Sequence, residues 1–355
     1  MSSNSQMNPA HAPKTSTVSV GIVGSGWVAR MRHLPAFARN KHVLLLGIYS
    51  SNMDQAKKLA EQYPGLLVCE SMEALLALPI DAVVICTPPK THAPLAKAAL
   101  LAGKHVLSEK PMTVTEEDSR ELIALAKEKD RILCPAHNFM YARAMTKAQA
   151  LIRSGATGAV KSVHGIQWSS WQRELPEWYS DLPRGLFFDE GPHLAYLTQA
   201  FLGPCAIRNV TYTTTGKGKS LYDQYEIDLV GTKGAGHITA LYGTPTSEWF
   251  VIVACAEQTL VLDIFKDMCI VLPKEGDRTP SYLMKSVFRA EVQIWKGFLA
   301  WIRYRLFTGS HLFGADVVAN RFIDAIMHGT PPPLTPEDGL QTVAFLNEVV
   351  RKSHE

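Results

Sequence analysis

Val18-Ser19-Val20-Gly21-Ile22-Val23-Gly24-Ser25-Gly26-Trp27-Val28-Ala29 is the stretch on which the fold turns. The first half is apolar and β-branched, as a buried strand requires, and the glycines then break it before a helical run reaching about Arg39. Gly24 permits a tight turn, and Gly26 lets a backbone approach a pyrophosphate. Ala29 allows close helix–strand packing, while the helix N-terminus faces the negative charge. At the head of a strand–helix series this pattern marks a dinucleotide-binding domain, with Gly24, Ser25, Gly26, Trp27 and Val28 as cofactor contacts.

Outward from that turn the alternation continues. Strands are expected at Val43–Tyr49, Ala82–Cys86, His105–Ser108 and Ile132–Ala136, with helices at Asp54–Gln62, Ala93–Leu101 and from the Thr115 cap to Lys129. Strands separated by helices imply crossovers and a parallel sheet. After Gly158 the period changes. Val160–Trp171, Ile207–Thr215, Tyr222–Val230, Ala235–Tyr242, Phe250–Ala254 and Leu260–Phe265 read as strands of one antiparallel sheet, with a helix at His193–Phe201. The chain returns to helix at Tyr282–Phe307, Ala315–His328 and Pro336–Lys352, the last capped by Thr335. The organisation read from this is a disordered tail over 1–17, a dinucleotide-binding domain over 18–140, a substrate and oligomerisation domain over 141–330, and a C-terminal helix over 331–355 packing back near the first domain.

Bulk composition excludes several classes. A chain of 355 residues, 46% hydrophobic and 19% charged, is ordinary for a soluble two-domain protein. The net charge of +3 and the absence of a basic, aromatic-laced tract give no basis for nucleic-acid binding. No apolar run is long enough to span a membrane, and the polar N-terminus lacks the core of a signal peptide, so a cytoplasmic location is expected. The cysteines are scattered without metal-ligand spacing and read as reduced thiols; no metal is expected.

The second strand ends in Tyr49-Ser50-Ser51-Asn52, with no carboxylate before Asp54. A carboxylate there would hold the ribose 2′-hydroxyl of NAD and repel a 2′-phosphate. Ser50 and Ser51, with Lys57 or Arg32 nearby, suit a 2′-phosphate instead, which favours NADP(H) slightly over NAD(H).

Three further elements carry a family likeness: Asp81-Ala-Val-Val-Ile-Cys-Thr-Pro-Pro-Lys-Thr-His92, Ala102-Gly-Lys-His-Val-Leu-Ser-Glu-Lys-Pro111 and Asp189-Glu-Gly-Pro-His193. With the glycine turn they resemble the Gfo/Idh/MocA oxidoreductases, from Val18 to Val350. The resemblance implies an α/β Rossmann domain followed by an α+β domain with a large, mostly antiparallel open sheet, often used to form homo-oligomers. It also implies hydride transfer between a nicotinamide and a secondary alcohol or ketone of a sugar, cyclitol or nucleotide sugar. Lys110 matches the family's catalytic lysine and Glu109 and Pro111 its flanks. His193 matches the acid/base histidine and Asp189 the aspartate before it. Thr87, Pro88 and His92 match positions lining the cofactor, and Asn138 an asparagine near nicotinamide and substrate. Two positions depart: Met140 stands where the family often has arginine, and Tyr196 where it often has an aspartate that touches cyclitol hydroxyls.

The residue types suit the chemistry. Removing a hydride from a carbinol carbon requires the hydroxyl proton to leave too, and a histidine with a pKa near neutrality accepts it well. A lysine ammonium beside the same oxygen stabilises the alkoxide and lowers the histidine's pKa. Asp189 is expected just before the helix that His193 begins, where it orients or tunes the imidazole. The run from Trp168 through Trp171, Arg173, Trp178 and Tyr179 to Arg184 offers rings to stack on a sugar and cations for phosphate or carboxylate. Trp171, Arg173, Tyr179 and Tyr196 are therefore substrate candidates, whereas His105, His137 and His164 read as packing or surface residues. Over 282–307, Lys285, Arg289, Lys296 and Arg303 recur on one side of an apolar helix, the pattern of a packing or interface helix and, less often, of one lying on an anionic membrane. Two other classes fit the same fold: a redox-neutral glycosidase or lyase that returns the hydride to its cofactor, and a non-catalytic cofactor sensor. A sensor has no need of a base, which Lys110, Asp189 and His193 together supply.

Overall fold

The computed structural model describes residues 17–214, 223–274, 279–308 and 313–353; the tail expected over 1–17 lies outside them, Thr17 apart. The first domain is a six-stranded sheet whose neighbouring strands all pair in parallel. Its strands are β1 (Val18–Val23), β2 (Val43–Tyr49), β3 (Leu67–Cys69), β4 (Ala82–Ile85), β5 (His105–Ser108) and β6 (Leu133–Pro135). Its helices are α1 (Leu34–Ala38), α2 (Met53–Ala60), α3 (Met72–Ala77), α4 (His92–Leu101) and α5 (Glu116–Glu128). Every residue of β4 is buried, which is why it reads as an unbroken apolar run. The strand order β3-β2-β1-β4-β5-β6 reverses direction between β1 and β4. That reversal opens a crevice at the C-terminal ends of these two strands, where ligands bind in open sheets of this kind.

Helix α6 (Arg143–Arg153) leads into the second domain, a seven-stranded sheet ordered β13-β12-β11-β7-β10-β9-β8. Its strands are β7 (Val160–Ser170), β8 (Cys205–Thr214), β9 (Asp223–Gly231), β10 (Gly234–Thr244), β11 (Glu248–Cys255), β12 (Gln258–Asp263) and β13 (Met268–Pro273). All pairs are antiparallel except β7 with β10, which run parallel at the centre. Helix α7 (Leu186–Leu202) packs on β7 and β10 and closes one face of the sheet. Tyr225, Phe187 and Phe188 are fully buried in the resulting core.

Several elements differ from the sequence reading. Strand β3, helix α3, helix α6 and strand β13 were not foreseen; β3 has only three residues, too few to show a period. The helix expected from Val28 begins instead with a π-helical stretch, Ala29–His33, before α1. Helix α7 starts at Leu186 rather than at His193, because Pro192 sits inside the helix, whereas proline commonly marks a first turn.

Three C-terminal helices complete the chain. Helix α8 (Pro280–Thr308) packs on β13, where the Gln293 side chain accepts from Val271 N at 2.9 Å and donates to Val271 O at 3.1 Å. Its opposite side exposes Met284, Phe288, Trp295, Leu299 and Leu306. Among the described residues no helix is long and apolar enough to cross a membrane. Helix α9 (Ala315–His328) corrects the boundary drawn at residue 330. Its apolar face, Val318, Phe322 and Ile323, joins the cluster formed by Ile22, Phe37 and Ile48 of the first domain. Helix α10 (Pro336–Lys352) begins with a reciprocal Thr335–Asp338 capping box and lies against both α5 and α7. The six cysteines are free, with Cys205 and Cys255 only partly buried.

Candidate active site

The glycine turn sits at the mouth of the crevice. Gly24 has φ +102°, its N–H donates to Tyr49 O at 2.7 Å, and a Cβ there would lie 2.7 Å from Cys86 O. Only glycine fits. A Cβ at Gly26 would meet nothing within 4 Å, so open space lies where a pyrophosphate would approach the helix N-terminus. The residues present thus fit a dinucleotide. Gly26→Ala is expected to leave the melting temperature unchanged yet weaken dinucleotide affinity about tenfold, measured calorimetrically; unchanged affinity would count against the placement.

Ser25 and Ser50 are buried and bonded to each other, Oγ to Oγ at 2.8 Å. The Ser25 hydroxyl also lies 3.1 Å from Gln55 Oε1, and Asn52 N–H donates to Ser50 Oγ at 3.2 Å. Ser50 is thus committed to joining the turn to β2, and Ser51 is the exposed hydroxyl of the pair. Trp27 is 55% exposed at the rim, and Val28 is half-buried.

Beyond β4, Thr87 and Pro88 line the turn, and Thr91 Oγ1 donates to Pro88 O at 2.7 Å. His92 does not present a group to the crevice. It is fully buried, with Nδ1 2.8 Å from Pro111 O and Nε2 2.7 Å from Thr87 O, so it ties the β4 and β5 loops together. Burial lowers its pKa. Asn138 donates Nδ2–H to Phe313 O at 3.0 Å, while its Oδ1 is buried without a partner.

After β5, Glu109 accepts from His33 Nε2 at 2.7 Å and from its neighbour Lys110 N–H at 3.2 Å. Burial alone would raise the Glu109 carboxyl; the His33 hydrogen bond and the charges of His33, Lys110 and Arg32 outweigh it and hold the group at about 2. The Lys110–Pro111 bond is cis. Lys110 Nζ crosses to the second domain and donates to Asp189 O at 2.8 Å and Asp189 Oδ1 at 2.9 Å. Tyr179 OH donates to Asp189 Oδ2 at 2.9 Å. Asp189 therefore aims the lysine, not the histidine expected to be its partner.

His193, one turn further along α7 and 4% exposed, has Nδ1 2.7 Å from Tyr196 OH. The tyrosine that replaces the family's aspartate is the group orienting the imidazole. Burial first, then the charges of Lys110, Arg32 and His137, push the His193 pKa well below the usual histidine range. The ring stands edge-on to Phe139 at 4.9 Å.

Other expected contacts lie elsewhere. Arg173 is paired with Glu190, which also accepts from Gln167 Nε2 at 2.8 Å and from Ser169. Arg184 bonds Ser353 Oγ and O at 3.1 and 2.9 Å and stacks over Tyr212. Trp171 is exposed beyond the end of β7. Sequence reasoning passed over His33, although it lies one helical turn past Ala29 in position to face the crevice. It also took His137 for a packing residue, and the ring does stack on Tyr196 at 4.4 Å while feeding the same electrostatics.

Residues 18–137 match the family described as "Oxidoreductase family, NAD-binding Rossmann fold", GFO_IDH_MocA. The dinucleotide-binding domain, about a third of the chain, thus matches the Gfo/Idh/MocA family. It is 32% identical over 200 residues to the dTDP-3,4-didehydro-2,6-dideoxy-alpha-D-glucose 3-reductase of Streptomyces violaceoruber, covering 56% of this chain and 58% of that one. It is 36% identical over 180 residues to the oxidoreductase YdgJ of Escherichia coli K12, covering 50% and 51%. The chain thus spans about half the length of the curated relatives it matches. In three dimensions it is similar to GenD2 from gentamicin A biosynthesis, solved with NAD, at TM-score 0.76 and 23% identity over 99% of this chain and 98% of that one. That likeness in fold extends over both domains.

Buried and half-buried histidines couple the stability of this chain to pH. Burial lowers His137 and His105 to about 4, and His193 is lowered too. The folded pKa lies below the unfolded value of about 6.5, so the unfolded chain takes up protons first as pH falls. Their contribution is complete above about 6.5 and is lost between there and about 4, on the order of 3 kcal/mol for His137 alone. The melting temperature should fall through that window, and His137→Phe should flatten the slope. An unaltered slope in that variant would refute the assignment.

Proposed function

We propose that this chain is an NAD(P)-dependent dehydrogenase or reductase acting on a secondary alcohol or ketone of a sugar, most plainly a nucleotide sugar. The observation that carries the reading is the bridge between domains: Lys110, from the end of a Rossmann strand, is held by Asp189 one helical turn before the buried His193. Similarity to a reductase named for a dTDP-sugar supports the substrate class. Tyr196, in place of a cyclitol-contacting aspartate, speaks against simple inositols.

Gly24, Ser25, Gly26 and Trp27 would hold the pyrophosphate, and Thr87, Pro88, Glu109 and Asn138 would flank the nicotinamide. Bound there, the nicotinamide supplies or accepts the hydride. The remaining work belongs to the protein. Asp189 and Tyr179 fix the Lys110 ammonium, which sits beside the reacting oxygen and stabilises negative charge on it. His193 is kept neutral by burial and by Lys110, so its Nε2 can accept the hydroxyl proton when the alcohol is oxidised and return it when the ketone is reduced. Water is kept back by Phe139 and Trp249, whose rings pack against the imidazole, with Phe313 packed on Phe139.

The choice between NAD(H) and NADP(H) rests on fewer groups than the sequence implied. Ser50 is committed to Ser25, and the Arg32 guanidinium is enclosed by Trp27, Phe139 and Phe313. With no carboxylate to exclude a 2′-phosphate and only Ser51 and Lys57 left to attract one, kcat/KM should differ by less than about tenfold between the two coenzymes. A larger preference for either would contradict this reading. The function itself is tested by incubating the protein with NAD(P)H and a nucleotide ketosugar. A sustained fall in nicotinamide absorbance is expected; tightly retained cofactor with no net turnover would favour the redox-neutral class.

A further inference from the structure

Arg32 is a cation of this crevice that no carboxylate among the described residues contacts directly, although it feels the charge of Glu109. Lys110 is held by Asp189, Arg173 by Glu190 and Arg184 by Ser353. Arg32 has no ion pair or hydrogen bond among the described residues, and its Nε is buried without a partner. Its guanidinium is enclosed by three rings, 5.3 Å from the centroid of Trp27, 5.4 Å from Phe139 and 5.7 Å from Phe313. Phe139 also touches His193, and the Arg32 charge is felt by both His193 and Glu109. Glu109, the nearest acid, spends Oε1 on His33 and Oε2 on the Lys110 N–H. Arg32 is half-buried, with its Nε fully enclosed; a guanidinium so placed and left unpaired is destabilising, and such a cost is kept where a ligand relieves it. Its planar donors match an oxyanion, and the rings around it exclude water that would weaken the pairing.

Resting on the proposed sugar oxidoreduction, we propose that Arg32 binds an oxyanion of the substrate, a sugar carboxylate or sugar phosphate, and so sets the enzyme's specificity for anionic over neutral sugars. Phe139 touches both the Arg32 guanidinium and the His193 ring, so an anion held by Arg32 would lie close to the proposed base. The arginines of the 168–184 run, expected from sequence to take this role, are engaged elsewhere.

The test uses the full chain saturated with NADH, titrated with UDP-glucuronate and UDP-glucose, and its Arg32→Met variant. If the carboxylate is the partner, the wild type prefers UDP-glucuronate by about tenfold or more, and the variant loses that preference while still binding UDP-glucose. If the phosphate is the partner, the variant weakens both by about tenfold or more. In either case NADH affinity is unchanged and the melting temperature changes little, since no ion pair or hydrogen bond has been removed and the methionine can still pack among the three rings. An Arg32→Met chain that binds both sugars as the wild type does, or that melts markedly lower or loses NADH affinity by the same factor, overturns the proposal. A wild type that binds NADH but neither nucleotide sugar overturns the substrate reading as well, and is thereby distinguished from failure of Arg32 alone.

Discussion

Lys110→Met is expected to lower kcat by about 10²–10⁴-fold, the range for removing a positioned charge or proton-transfer partner at a reacting oxygen. NAD(P)H affinity should change little, because Lys110 is directed across the domain boundary to Asp189 and not toward the glycine turn. The substitution also leaves the Asp189 carboxylate, 13% exposed, with only the Tyr179 hydroxyl as partner. Some loss of stability should accompany the loss of rate, and Lys110→Met/Asp189→Asn should recover stability without recovering activity. Rapid-mixing measurement of nicotinamide absorbance separates the two effects. A single variant that turns over within about threefold of the wild type would show that the ammonium is structural.

His193→Asn is expected to cost a similar factor, about 10²–10⁴ in kcat. Its signature lies in the pH profile for alcohol oxidation. The active form of the base is neutral imidazole, and burial with Lys110 nearby lowers its pKa well below the ordinary histidine value. The rate should therefore stay level through neutrality and fall only in acid, as His193 takes up a proton. Tyr196→Phe removes the hydroxyl 2.7 Å from Nδ1 and should lower kcat less than loss of the ring itself. A break near 6.5 in the wild type would mean that the imidazole is solvated during turnover. A rate indifferent to His193→Asn would remove it from the chemistry altogether.

Much of the architecture was legible because the physics is local. The glycine turn, the buried β4 and the Thr335 cap each announce themselves within a few residues. The period-two strands after Gly158 did so as well. What was not legible depended on tertiary placement. Pro192 lies inside α7 because its neighbours Gly191 and His193 are buried against the sheet and α10, and no local rule distinguishes that from a helix start. Val318 and Phe322 advertise an amphipathic helix, but which domain receives them is a matter of packing. At the site, Lys110, Asp189 and His193 were recognisable from their motifs, yet their connections were not. Asp189 is four residues from His193 in sequence and nonetheless serves Lys110, because Tyr196 already occupies Nδ1 of the imidazole. Arg32 and Arg184 were misplaced for the same reason: a long side chain's destination is set by what surrounds it.

The bridge between domains carries the functional reading, and a double-mutant cycle on Lys110 and His193 interrogates it most directly. Single-turnover hydride transfer to a nucleotide ketosugar would be followed in Lys110→Met, His193→Asn and the combined variant. If both groups act on one substrate oxygen, the combined variant should be no slower than the slower single variant, within about threefold. If the two losses multiply, the groups act on separate events and do not share one site.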